Sequence, residues 1–194
     1  MLNDKQKAKL RENVAASLTE AGIGAAYHKR TLDDLPNGAG PNVRKWVEEC
    51  AREEMRAGTG WTVIGSGAAG RDAIMLIARA VHLSGFTARV LPLRRLVAQV
   101  LTNGDLLAEL EACDALCVLD FFQVYPGQTV VPLTGREVQE VEAFLLERLD
   151  NARAIFVQTA KPLGGDTWWS LPLVQRLGTL NRTLDVAPVR ERSR

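Results

Sequence analysis

The sequence predicts an α/β fold: a three-layer sandwich with a parallel five-stranded sheet between helices, preceded by an N-terminal amphipathic helix. Three observations predict it. Short apolar runs alternate with helical stretches along the chain, the order that builds a parallel sheet covered on both faces. A glycine-rich turn, Gly65-Ser66-Gly67-Ala68-Ala69-Gly70, joins one of these runs to an apolar helical stretch. The composition of the 194 residues, 46% hydrophobic and 24% charged, is that of one globular domain.

Residues 2–21 place Leu10, Val14 and Leu18 at steps of four among Lys5, Lys7, Lys9, Arg11 and Glu12, which predicts an amphipathic helix ended by Gly22 and Gly24. Its apolar stripe either packs on the chain's own core or docks a partner, since both uses need the same anchors. Residues 23–40 read as a loop-rich connector. Pro41 then starts a helix with Val43, Trp46, Val47, Cys50 and Met55 on one face, closed by Gly58 and Gly60. The first strand is 61–64. Past the glycine turn, a helix beginning near Arg71 carries Ile74, Met75, Ile77, Ala78 and Val81, apolar nearly all round as a helix buried on a sheet should be. Strand 87–91, helical pieces 94–101 and 106–112, and strand 115–119 follow, the last ending in Asp120. Beyond a loop come a helix over 135–149, strand 154–157, a helix over 168–177 and a short strand 183–186. Residues 188–194, with Arg190, Arg192 and Arg194, read as a basic tail.

The net charge of +1 excludes binding of nucleic acid by bulk electrostatics. Cys50, Cys113 and Cys117 have no paired spacing, and His28 and His82 are far apart, so neither a disulfide framework nor a zinc site is expected. The absence of a leader and of a long apolar run leads to the expectation of a cytoplasmic protein.

The strand, glycine turn and helix at 61–72 form a P-loop layout. In the pattern G-x-x-x-x-G-K-[ST] the backbone N–H groups cradle phosphates, the lysine reaches the terminal phosphates and the hydroxyl holds Mg²⁺. Gly65 and Gly70 keep the spacing, but Arg71 replaces the lysine and Asp72 the hydroxyl. The candidate nucleotide-binding residues are therefore Gly65, Ser66, Gly67, Ala68, Ala69, Gly70, Arg71 and Asp72. The apolar run ending in Asp120 has the form of a Walker B strand, whose aspartate serves the Mg²⁺ shell.

With these elements in place, the chain resembles the AAA+ ATPases of the bacterial helicase-loader and IstB transposition-helper branch, the DnaC/DnaI/IstB group. The resemblance spans 23–186. It is carried by Thr31-Leu32-Asp33-Asp34-Leu35, the P-loop, Ile77-Ala78-Arg79-Ala80, Gly85, the acid-tipped third strand and Val157-Gln158-Thr159-Ala160-Lys161-Pro162. It implies an AAA+-like P-loop core over 23–187 without a substantial lid, and helicase, transposase-like or single-stranded DNA partners in a possible oligomer. It also implies an arginine-finger role for Arg176 and contacts of Arg94 and Arg95 with single-stranded DNA. Solvated helix faces are the simpler explanation of the same three arginines.

Four hydrolysis positions of that family differ together: Arg71, Asp72, Phe121 in place of the acid that polarises the attacking water, and Ala160 in place of the sensor asparagine. Like charges about 4 Å apart repel by on the order of 4 kcal/mol at an effective dielectric of 20, so Asp72 opposes a bound triphosphate. Arg71 can pair with Asp72 or Asp120 and fill the pocket itself, leaving a site with no cofactor. Alternatively Asp72 and Asp120 share Mg²⁺ and ATP still binds. The first is the preferred reading, because the second would still lack a water-orienting group and a sensor. The first makes the chain an adaptor with an impaired site, its 1–22 helix docking a partner. The second makes it a divergent ATPase with slow or partner-dependent turnover, in which Asp120 and Arg176 would be the catalytic candidates. Trp168 and Trp169 are either an interface anchor pair or core.

Overall fold

The computed structural model describes residues 3–65, 67–122, 133–164 and 169–186. Five strands, β1 (Trp61–Ile64), β2 (Ala88–Pro92), β3 (Ala115–Phe122), β4 (Ala154–Thr159) and β5 (Arg182–Asp185), pair in parallel in the order β2-β3-β4-β1-β5. Among the described residues there are eight α-helices, α1 (Asp4–Glu20), α2 (Gly40–Glu49), α3 (Ala51–Arg56), α4 (Gly67–Leu83), α5 (Leu93–Thr102), α6 (Leu107–Ala112), α7 (Gly135–Asp150) and α8 (Leu171–Leu180), with short 3-10 turns between α1 and α2. The expected fold class is observed.

The two faces of the sheet build two apolar layers. Leu18, Val43, Trp46, Met55 and the buried residues of α4 pack with Cys117, Leu119 and Phe156 on one face. α5, α6, α7 and α8 pack with Leu116, Val118, Ile155 and Val157 on the other. Neighbouring strand residues thus serve opposite layers, the period-two rule of a strand, and β4 is buried at every position. This is why the strands read as unbroken apolar runs in the sequence.

Several boundaries differ from the sequence reading. The single helix expected after Pro41 is two, α2 and α3, broken at Cys50. The helix expected from 168 is described from Leu171. β3 does not end before Asp120 but continues through it, with a register shift between Val118 and Phe122. By parity Phe121 should share the layer of Cys117 and Leu119, yet it lies in the opposite layer with Val118. At this irregularity the four-residue step from Val118 to Phe122 stands opposite the two-residue step from Val157 to Thr159, and with Asp120 at φ +58° Phe121 departs from the alternation.

α1 is tied down by its C-terminal half. Leu18 is fully buried, and Ser17 Oγ lies 2.7 Å from His82 Nε2 on α4. The chain leaving α1 then caps the outer edge of β2, where Val90 N–H donates to Ala21 O at 2.8 Å. Gly22 makes that approach possible: its φ is +83°, and a Cβ there would stand 2.2 Å from Val90 O. Gly22→Ala combines a left-handed backbone penalty with this collision, roughly 2 to 3 kcal/mol in all. A thermal melt of the variant should fall by about 4 to 12 °C; an unchanged midpoint would mean that the edge contact contributes nothing.

No helix among the described residues is long and apolar enough to cross a membrane.

Candidate functional site

In a parallel sheet the carboxyl ends of all strands share one edge, so the segments after β1, β3 and β4 meet there. Gly65, Asp120 and Ala160 are brought together in this way. Gly65 N–H donates to Thr159 O at 2.7 Å, which fixes the start of the turn on the end of β4. Gln158, fully buried, completes the joint. Its Nε2 donates to Gly65 O at 2.6 Å, and its Oε1 accepts from Asp120 N–H at 2.9 Å. One amide thus links three strand ends. A Cβ on Gly70 would lie 2.1 Å from Gly65 O and 3.0 Å from Gln158 Nε2, so the spacing of the two glycines follows from their close approach.

The helix begins earlier than the sequence predicts. Gly67, at φ +60°, turns the chain into α4, so Ala68, Ala69 and Gly70 lie in its first turn rather than in an open loop. Alanine is the best helix former and offers no side chain that would hold an irregular loop, which accounts for the difference from the expected start near Arg71. Ser66 lies outside the described residues. The first turn of α4 still has backbone N–H groups without intrahelical partners, as any helix start does.

Both substituted side chains have partners. Arg71 Nη2 lies 3.3 Å from Asp120 Oδ2, across a half-exposed pair. Asp72 is claimed from elsewhere: Tyr27 Oη donates to its Oδ1 at 2.6 Å and Arg30 Nη1 to its Oδ2 at 2.7 Å. Arg30 also sits over the Tyr27 ring, 5.4 Å from its centre, a cation–π arrangement. Arg79 fastens the same connector by donating twice to His28 O, at 3.0 and 3.3 Å. Residues 27–30 are therefore strapped along α4, and both oxygens of the carboxylate in the P-loop hydroxyl position are occupied. Sequence reasoning offered Asp72 or Asp120 to Arg71; the geometry pairs Arg71 with Asp120 and gives Asp72 to Arg30.

The electrostatics follow from these contacts. Burial works against the charge on Asp72, but the Tyr27 hydroxyl and the Arg30 guanidinium outweigh it and hold the carboxyl below its ordinary value. Burial and the Asp72 contact push the Tyr27 hydroxyl up, and the Asp72 hydrogen bond raises Arg30. A carboxyl with a depressed folded value stabilises the fold fully above its unfolded value near 3.9 and loses that contribution as pH falls through the folded value. Urea midpoints measured from pH 7 down to about pH 2.5 should therefore fall more steeply for the wild type than for Asp72→Asn. Parallel curves would mean that the Tyr27–Asp72–Arg30 set is energetically idle.

Two positions to which the resemblance assigns a part in hydrolysis carry apolar side chains. Phe121 is fully buried and stacks on Trp169, ring centres 4.7 Å apart and planes 7° from parallel. Trp169 Nε1 donates to Phe121 O at 3.3 Å. A ring in this position has no proton-accepting atom. Ala160, just past β4 and half-buried, has no hydrogen-bonding side chain. Among the described residues no group of three or more His, Cys, Asp or Glu side chains is placed to hold a metal ion, and Asp72 and Asp120 each face a guanidinium.

The remaining candidates lie apart. Arg94 and Arg95 start α5 directly after β2, at the carboxyl edge; Arg94 is 4.0 Å from Glu137 and Arg95 is exposed. Arg176 pairs with Asp150 at 2.5 Å, the last residue of α7, which ends at the opposite edge of the sheet, so within one chain Arg176 does not reach the P-loop. Trp169 is core, and Trp168 and the tail 188–194 lie outside the described residues. Tyr27, Arg30 and Gln158 were missed by sequence reasoning. Gln158 carried a signal, as an amide directly after the apolar run 154–157.

No protein-family model and no curated protein matches the chain. Its fold does match solved structures. The crystal structure of the DnaC helicase loader superposes with a TM-score of 0.61 at 15% identity, covering 84% of this chain and 99% of that one. A putative primosome component from Streptococcus pyogenes serotype M3 gives 0.63 at 14% identity, covering 88% and 94%. DnaA from Aquifex aeolicus bound to AMPPCP gives 0.60 at 12% identity, covering 84% of this chain and 50% of its own. The chain therefore shares its fold with the DnaC helicase loader and these other proteins.

Proposed function

We propose that this chain is a helicase-loader-like or transposition-helper-like protein whose nucleotide site is impaired, and that it works as a protein-binding adaptor in DNA replication or mobile-element function. One observation carries the reading: Asp72, in the place of the Mg²⁺-holding hydroxyl, has both carboxylate oxygens engaged by Tyr27 and Arg30. A triphosphate entering beside it meets a carboxylate that cannot readily be protonated away, because its partners hold it ionised. The fold shared with the DnaC helicase loader supports a replicative helicase as the partner class, with a transposase-like protein as the counterpart in mobile elements. Isothermal calorimetry with ATP and Mg²⁺ tests the reading. No binding in the micromolar range is expected, and a micromolar constant would overturn it.

A second reading is favoured by Asp120, which stays at the carboxyl edge beside the half-exposed Arg71. In it the chain is a divergent ATPase that binds ATP with Mg²⁺ and turns over slowly, or only with a partner and DNA at Arg94 and Arg95. Phosphate release with and without single-stranded DNA, against an Asp120→Asn control, separates the two. Turnover abolished by that substitution supports the enzyme, and no release above background supports the adaptor. A trans-acting role for Arg176 predicts that Arg176→Ala lowers the ATPase rate of a mixed assembly with an active partner.

A further inference from the structure

Only half of α1 is used by the fold. Residues 5–13 are all exposed, and Leu10 is 53% exposed. A helical segment of this length without tertiary contact is marginal in water. This one is started by a capping box: Gln6 N–H donates to Asn3 Oδ1 and Asn3 N–H to Gln6 Oε1, both at 2.9 Å. The helix is therefore begun firmly and then left uncovered.

Beside it runs an open groove of about 660 Å³. Leu10, Val14, Ala15 and Leu18 form one wall, and Ala25 and His28 belong to the other, with Arg11, Glu12 and Lys29 on the rim. Leu10 to Leu18 spans about 12 Å of helix, room for two turns of a second helix. The charge leans positive, with Asp4 and Glu12 the acids among it. Lys5, Lys7, Lys9 and Arg11 crowd the uncovered half of α1 and Lys29 stands opposite, in a chain whose net charge is only +1.

We infer that this groove takes an acidic amphipathic helix of a partner protein. The partner's apolar stripe, at i, i+4 and i+7, lies on Leu10 and Val14, and its carboxylates lie over Arg11, Lys29 and Lys9. A second copy of this chain is a poor occupant, because its own uncovered α1 would bring like charge to like charge. The inference deepens the adaptor reading and rests on it only in taking protein binding as the chain's work. It involves no residue of the Gly65–Asp72 segment.

Fluorescence anisotropy with the full chain tests it. The probe is a labelled peptide of about 18 residues with leucine at i, i+4 and i+7 and glutamate on its flanks, compared with an analogue carrying lysine for every glutamate. The acidic peptide should bind at least about tenfold more tightly. Leu10→Glu, at an exposed position that leaves the melting temperature unchanged, should weaken it by at least about tenfold. Lys9→Glu with Arg11→Glu should narrow the gap between the two peptides. Equal binding of both peptides, or binding indifferent to Leu10→Glu, overturns the inference. So does a concentration-dependent dimer in sedimentation that Leu10→Glu abolishes, which would assign the groove to a second copy. Micromolar ATP binding in calorimetry would overturn the impaired-site reading and leave this result untouched, so the two fail separately.

Discussion

Replacing Arg71 by lysine and Asp72 by threonine in one chain is expected to raise affinity for ATP with Mg²⁺ by about two to three orders of magnitude. The carboxylate accounts for most of it. Two like charges about 4 Å apart cost on the order of 4 kcal/mol at an effective dielectric of 20, close to a thousandfold in binding. Arg30, 2.7 Å from Asp72, already offsets part of that repulsion, which lowers the expected gain toward a hundredfold. The lysine adds a compact ammonium in place of a planar fork. Threonine also releases Tyr27 and Arg30 from their acceptor, which frees the connector to move. Turnover should stay at background, because Phe121 remains stacked in the core. Calorimetry and phosphate release on the same preparation check both halves. A double variant that still fails to bind would show that the charge at position 72 is not what closes the site.

The second large effect lies at the other edge of the sheet. Arg148 is 2% exposed, and its guanidinium replaces a carboxylate partner with four carbonyls. Nη1 donates to Leu110 O, and to Glu111 O at 3.0 Å; Nη2 donates to Cys113 O at 3.0 Å and Ala154 O at 3.3 Å. The last carbonyls of α6 are thereby joined to the first residue of β4. Burial pulls the Arg148 pKa down, and Nε has no partner among the described residues, so holding the charge has a cost. Losing the donors has a larger one, since each buried carbonyl left alone costs about 1 to 3 kcal/mol. Arg148→Met, which keeps the bulk of the side chain, should destabilise by on the order of 4 kcal/mol after relief of the buried charge. A melt lowered by roughly 8 to 16 °C is the corresponding reading. A drop of under about 3 °C would mean that desolvation cancels the bonds.

The fold was legible because its central strands are buried on both faces and most of its helices on one, so apolar runs and stripes mark them directly, the exposed β5 being the exception. Five strands and the long helices fall close to where periodicity puts them. What local pattern cannot carry is contact between distant segments. Asp72 stands out as an anomaly in its motif, but its partners Tyr27 and Arg30 lie 45 and 42 residues away, and no spacing rule connects them. Phe121 is an alphabetic change in the sequence; the bulge that drives it into the opposite layer is visible only once strands are paired. Arg148 is the opposite case. It falls four residues after Phe144 and seven after Val141, inside the apolar stripe of α7, a local signal for its burial that the sequence reading above left unused. The early start of α4 was hidden because a glycine-rich motif invites the expectation of a loop, while Ala68 and Ala69 favour helix.

The contact of Ala21 with Val90 has a mechanical meaning. α1 is not a loose tether: its C-cap Ala21 is bonded to an edge strand, and Gly22 passes close against Val90. A pull on α1 would reach the core first at Leu18 and at the bond between Ala21 and Val90, so a partner on its first turns stands one short, bonded path from β2.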